Sequence, residues 1–151
     1  MFPIWIALFF GAIFAAYTTA HVPKEMQHIE RVKANVQAAN FVSYRKAVIQ
    51  YLAANPGVSG DIPDTAIDIF KEPGFVKNSA WKSYAQGAQL FVYSNAPVAK
   101  TLAHEIFSRS SNNPLVGIKS ATGNLVSFKG ADTGISLPSV IPGNAIVVAG
   151  K

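Results

Sequence analysis

The sequence contains no cysteine. Disulfides, thiolate metal sites and a cysteine nucleophile are therefore excluded, although a disulfide-free protein is compatible with either a reducing or an oxidising compartment. Charge is also scarce. Only 14% of the 151 residues are Asp, Glu, Lys or Arg, against about a quarter in ordinary soluble domains. A chain so poor in charge and half apolar is not disordered, because disorder needs low hydrophobicity and high net charge. No acid precedes Glu25. What charge there is leans basic, 13 Lys and Arg against 8 Asp and Glu, giving a net charge of +5. These cations stand singly except Arg45-Lys46, so no basic stripe of the kind that tracks a nucleic-acid backbone is formed. A length of 151 residues and 16.1 kDa suits one domain of ordinary size.

The apolar excess is concentrated at the start. Residues 2–20 carry no charged side chain, and sixteen of the first twenty residues are apolar. A helix of that length spans roughly 28 Å, close to the roughly 30 Å hydrocarbon thickness of a bilayer. The segment therefore reads as a single transmembrane anchor over residues 1–21, with Phe2, Ile4, Trp5, Ile6, Leu8, Phe9, Phe10, Ile13, Phe14 and Tyr17 facing lipid or its interface. Pro3 falls in the first turn, where its missing N–H costs least. A cleaved signal peptide is the second reading, helped by the small residues Thr18-Thr19-Ala20. It is weakened by an n-region without Lys or Arg and an apolar run longer than a usual h-region. A buried core helix is the third. A prepilin leader would need a charged leader ending in Gly before the apolar run, whereas Gly11 lies inside it. Counting Lys24, Arg31 and Lys33, offset by Glu25 and Glu30, weakly places the C-terminal side in the cytoplasm.

Val22-Pro23 is expected to break the first helix. A second helix is expected from Glu25 to Ala54, with Ile29, Val32, Val36, Ala39, Val42, Val48, Ile49 and Leu52 as its apolar stripe. Its first half reads as an exposed stalk and its second half, after Phe41, as packed. Asn55-Pro56-Gly57 stops it. Asp64 is expected to cap a short helical turn reaching Phe70. Residues 75–86 read as one short strand or an irregular stretch. Ala88–Ser94 is a strand, Pro97 opens a helix to Arg109, and Leu115–Ala121 with Asn124–Lys129 form a hairpin around Thr122-Gly123. The tail is irregular until a last strand at Ala145–Ala149. The expected fold class is α+β: a transmembrane helix, a long stalk helix, then a small antiparallel sheet packed with helices. The expected division is 1–21 anchor, 22–54 stalk and packing helix, and 55–151 small α+β domain.

Chemical motifs fail on inspection. His104-Glu105 begins a zinc-protease pattern, but the second His position is Ser108. His21 and His28 have no third ligand. Gly130-Ala131-Asp132-Thr133-Gly134 lacks the Gly-Lys-Ser/Thr ending of a phosphate loop. Asp61, Asp64 and Asp68 lack the EF-hand spacing and its closing Glu. No catalytic, metal or cofactor residue is assigned, and the expectation is a protein that is not an enzyme. Trp81, Phe75, Phe91 and Tyr93 read as core aromatics.

The pattern Asn40-Phe41-Val42-Ser43-Tyr44-Arg45-Lys46-Ala47-Val48, with Tyr51 and Asn55-Pro56-Gly57, then Gly60-Asp61-Ile62-Pro63-Asp64, is carried further by Trp81, Ala88-Gln89-Leu90-Phe91-Val92-Tyr93, Val116-Gly117, Gly123-Asn124-Leu125 and Ile141-Pro142-Gly143-Asn144-Ala145-Ile146-Val147. This pattern resembles the PilM-type accessory proteins of type IVb pilus systems, notably the thin pili encoded by conjugative plasmids. Tyr44, Arg45, Pro56, Gly60, Pro63, Trp81, Tyr93, Gly117, Gly123 and Pro142 are its structural marks. The resemblance implies a single-pass protein of the bacterial inner membrane with a small periplasmic domain. That protein would serve pilus biogenesis and conjugation through contacts with other pilus assembly proteins of the inner membrane or periplasm. It implies no cofactor, no nucleic acid and no small-molecule substrate. The alternative is a minor pilin or pseudopilin that enters the filament.

Overall fold

The computed structural model describes residues 2–150, with side chains described for 4–15 and 25–150. It divides into two compact units, residues 1–33 and 34–151. Helix α1 runs Phe2–Ala54, and the break expected at Val22-Pro23 is not there. Proline inside a helix costs about 3 kcal/mol, a local penalty that a long helix can absorb. In the first unit, the described apolar side chains Ile4 to Ala15 are all exposed. Among the described residues no helix is long and apolar enough to cross a membrane. The side chains of Phe2 and Tyr17, like that of His21, lie outside the described residues.

The second unit begins where α1 acquires a buried face. That face is Ala34, Ala38, Phe41, Tyr44, Ala47, Val48 and Leu52. Ile29, Val32 and Val36 are exposed, as expected of the stalk half, but packing begins at Ala34 rather than after Phe41, and Ala39, Val42 and Ile49 of the expected stripe are only half-buried. The fold buries the small residues Ala34 and Ala38 where the helix begins to pack.

The chain continues through β1 (Gly60–Asp61), a 3-10 turn (Asp64–Phe70), β2 (Trp81–Gln86), β3 (Gln89–Ser94), α2 (Lys100–Arg109), β4 (Val116–Lys119), β5 (Asn124–Ser127), β6 (Asp132–Ser136) and β7 (Ile146–Ala149). The expected strand, helix, hairpin and final strand are present. Pro97 lies before α2 rather than opening it, because Ala99 is the N-cap. Asp64 makes no cap bond; the turn starts from Pro63. β6 replaces part of the expected irregular tail. Its residues, Asp-Thr-Gly-Ile-Ser, carry little apolar alternation and left no signal.

All strand pairs are antiparallel, in the order β1-β2-β3-β7-β4-β5-β6. The last strand therefore lies between β3 and β4. One face of the sheet packs Leu90, Val92, Val116, Ile146 and Val148 against α1 and α2. The other face packs Phe91, Tyr93, Leu125 and Val147 beneath Leu137, Ile141 and Ala145 of the segment before β7. Lys119 Nζ holds that segment by donating to the carbonyl oxygens of Pro138 (2.9 Å) and Ile141 (2.7 Å). The central strands are thus buried on both sides, which explains their unbroken apolar runs.

Gly117 sits where β4 leaves no room for a side chain against β5. A Cβ there would lie 2.0 Å from the backbone oxygen of Val126. Backbone cannot yield as a side-chain end can, so Gly117→Ala should destabilise the protein by about 2–3 kcal/mol. Chemical denaturation of the full chain in detergent, followed by near-ultraviolet circular dichroism, checks this; an unchanged midpoint refutes it.

Candidate functional site

Asn40, Tyr44 and Lys77 fix the ground on which a cavity rests. Asn40 and Tyr44 lie one helical turn apart on α1 and so share a face. Asn40 Nδ2 donates to Val76 O (2.7 Å), and its Oδ1 accepts from Asn78 N (3.1 Å) and Trp81 Nε1 (3.0 Å). The loop before β2 is thereby stitched to the helix. Trp81 packs edge-on against Phe41 with ring centroids 5.0 Å apart. Tyr44 OH and Ser83 Oγ share a buried hydrogen bond of 2.9 Å. Lys77 Nζ reaches both carboxylate oxygens of Asp64 (2.7 Å each) and the Trp81 carbonyl (2.7 Å), and lies 5.0 Å from the Tyr44 ring centroid. A buried ammonium needs this degree of satisfaction to persist.

In front of this network is a cavity of about 390 Å³ between β1, β2, β3 and the segment before β7. Its walls include Asp61, Ile62, Pro63, Lys82, Tyr93, Asn95, Val140 and Pro142, and Asp64 and Ser83 join the network to it. Lys82 and Tyr93 are register partners across β2 and β3. Tyr93 is 4% exposed, and its phenol is pushed up by burial, then by the charge of Asp61 and by Tyr84. A second, smaller cavity of about 260 Å³ lies between α1 and the 3-10 turn, beside the exposed ion pair Lys46–Glu72.

The sequence-marked residues divide accordingly. Pro63, Tyr93 and Pro142 meet in the larger cavity, and Tyr44 and Trp81 stand behind it. Gly60, at φ +97°, turns the chain into β1 immediately before Asp61. Pro56 and Gly57 follow the end of α1, Gly123 turns the β4–β5 hairpin at φ +88°, and Gly117 permits the strand approach described above. Arg45 lies apart, donating from Nη2 to Gly150 O (3.1 Å), while its buried Nε has no partner. The chemistry-bearing residues do not converge. His104 lies on α2 beside the Phe128 ring, Asp68 pairs with Lys71, and Ser83 Oγ is engaged by Tyr44. Neither His104 nor Glu105 lines either cavity. Lys77 and Asn95 gave no signal in the sequence, and Asn40 only as the first residue of the family pattern, because a polar residue at a helix or loop position carries no local signature of what it will bind.

The PilM family model matches residues 9–149. The chain belongs to the PilM family. The crystal structure named for PilM of Escherichia coli B7A has a TM-score of 0.61 and 21% identity, covering 80% of this chain and 93% of that one. A second, named for pilM of Pseudomonas aeruginosa 2192, has a TM-score of 0.47 and 30% identity, covering 78% and 92%. Among curated proteins nothing matches. The family resemblance seen in the sequence holds, and PilM membership makes this a pilus-related protein. The residues that carried the resemblance are in large part those that hold the helix, the β2 loop and the cavity together.

Tyr44 gives this assembly a pH signature. Burial pushes its phenol up to about 12 from 10, outweighing the Ser83 hydrogen bond that acts the other way. The folded state therefore holds the proton more tightly than the unfolded chain. Its share of stability is intact below pH 10 and is lost as pH rises towards 12, amounting to about 2–3 kcal/mol. Tyr44→Phe should flatten the fall in melting temperature over that pH window while lowering stability at neutral pH. An unchanged slope would count against it.

Proposed function

We propose that this chain is a non-enzymatic, membrane-anchored component of type IVb pilus biogenesis, supporting pilus assembly in bacterial conjugation through protein–protein contacts. The observation that carries the reading is the family match across nearly the whole chain. The fold likeness to the Escherichia coli structure agrees with it at the level of architecture. Anchoring is supported by residues 2–20, which hold no charged side chain, and by the outward display of the Ile4 to Ala15 side chains, which water does not favour. In this reading residues 1–21 sit in the inner membrane and the sheet domain works in the periplasm. Tethering to a surface raises the encounter rate with other anchored components. The domain then contributes shape and contacts rather than turnover, which suits side chains engaged in internal bonding.

Deletion should abolish pilus formation and liquid mating without reducing pilin synthesis. A reporter fused to the C-terminus should be active in its periplasmic form. Normal piliation in the deletion strain, or a cytoplasmic reporter signal, overturns the respective half of the proposal. The arrangement of a long helix with an apolar start followed by an antiparallel sheet also suits a minor pilin. Recovery of a processed form from sheared filaments would favour that reading instead.

A further inference from the structure

In the first unit, helix α1 carries an apolar stripe with nothing packed on it among the described residues. Ile4, Leu8, Met26, Ile29 and Val32 are each half or more exposed. A helix in water draws most of its stability from packing such a face, so the stalk alone is incomplete. The stripe also has a period. Leu8 and Ile29 fall on one count of seven, and Ile4, Gly11, Glu25 and Val32 fall on the interleaved count. Seven is the repeat at which two helices wind about each other with their stripes in contact. Gly11 is a second, independent mark. Glycine is a poor helix former, so its place inside α1 needs a reason. A Cβ on Gly11 would meet nothing within 4 Å, so no packing inside the chain supplies one. Small residues one turn apart, here Ala7 and Gly11, let a second helix approach closely within a bilayer.

We propose that this face pairs with the same face of a second copy, the two helices forming a parallel coil from Ile4 to Val32. A copy is selected over other partners by the continuity of the count. It runs unchanged from the uncharged residues 2–20 into the charged stretch after them, and so calls for a partner helix built in the same two parts. Anchoring supplies the alignment, because copies held in one bilayer share direction and depth and their equal counts meet in register. The area suffices. Side chains of this kind remove about 60–120 Å² each, so five from each copy bury about 600–1,200 Å², reaching the roughly 1,200 Å² at which stable interfaces begin. Glu25 is the exception on the seam. Its carboxylate would face its own copy, which weakens the pair and keeps it reversible. The proposal rests on the reading of residues 1–21 as an anchor, and names the partner.

The chain has no cysteine, so single cysteines report pairing without background. Ile29→Cys and Val32→Cys, on the seam, are compared with Gln27→Cys and Arg31→Cys, off it. Each full-length variant is oxidised with copper phenanthroline in isolated membranes. The seam positions should give a disulfide-linked species of twice the chain mass, at least fivefold more than the other two. Adding Gly11→Leu to Ile29→Cys should cut that yield at least fivefold. The melting temperature of the sheet domain should not move, since Gly11 touches nothing within the chain. Glu25→Leu should tighten dimerisation about tenfold by sedimentation equilibrium in detergent micelles. Equal yields at all four positions, no crosslink at any, or indifference to Gly11→Leu overturns the proposal. So does a crosslinked species containing a different protein. Carbonate extraction of the same membranes tests the anchor separately. A chain released by carbonate that still crosslinks at 29 and 32 removes the anchor and keeps the stalk pairing. A chain that carbonate leaves in the membrane but that does not crosslink removes only the dimer.

Discussion

The insertion of β7 between β3 and β4 is the constraint on which the sheet domain depends. Without it, β1-β2-β3 and β4-β5-β6 are separate antiparallel groups with no strand in common. β7 pairs with both, and its four residues Ile146–Ala149 are buried. Their side chains alternate between the core under the helices and the core under the segment before β7. A single strand thus joins two half-sheets and two hydrophobic cores. Its pairing spans much of the chain, since Val148 faces Val92 on one side and Val116 on the other. Contacts so distant in sequence are slow to form, so this domain is expected to close late in folding.

The same closure makes the cavity. The chain can reach the centre of the sheet only by crossing one of its faces, and the crossing segment brings Val140 and Pro142 opposite Tyr93. Lys119 holds it there through two carbonyl oxygens. On the opposite side, Asn40 and Tyr44 of α1 pin the β2 loop and β2 itself. The cavity is therefore bounded by elements fixed from both faces of the sheet.

Local pattern was readable wherever burial was two-sided or a turn was chemically marked. Leu90–Tyr93 and Ile146–Ala149 announced themselves as strands through continuous β-forming apolar residues. Asn55-Pro56-Gly57 marked the end of α1, and Gly123 marked the hairpin. β6 was not readable, because an edge strand with alternate exposure and a glycine at φ +69° looks like a loop. The buried face of α1 was misjudged for a related reason. Hydropathy favours Val42 and Ile49, which are only half-buried, but the face that packs is chosen by what lies opposite, and there Ala38, Phe41 and Tyr44 fit. The role of Asp64 could not be inferred either, since an acid at the start of a turn suggests a cap while its actual partner, Lys77, lies thirteen residues away.

The sequence by itself determined most of the element types, the apolar N-terminal run, the exclusion of thiol chemistry and the family, because these rest on composition, on local periodicity and on residues quoted in order. The tertiary structure alone decided the strand order, the covering of the second face and the meeting of Asp61, Tyr93, Asn95 and Val140 around one cavity. Those residues come from three separate stretches of chain, and no periodicity within any one stretch records which of the others it will face. Their common position is imposed by a last strand that must be buried at the centre of the sheet.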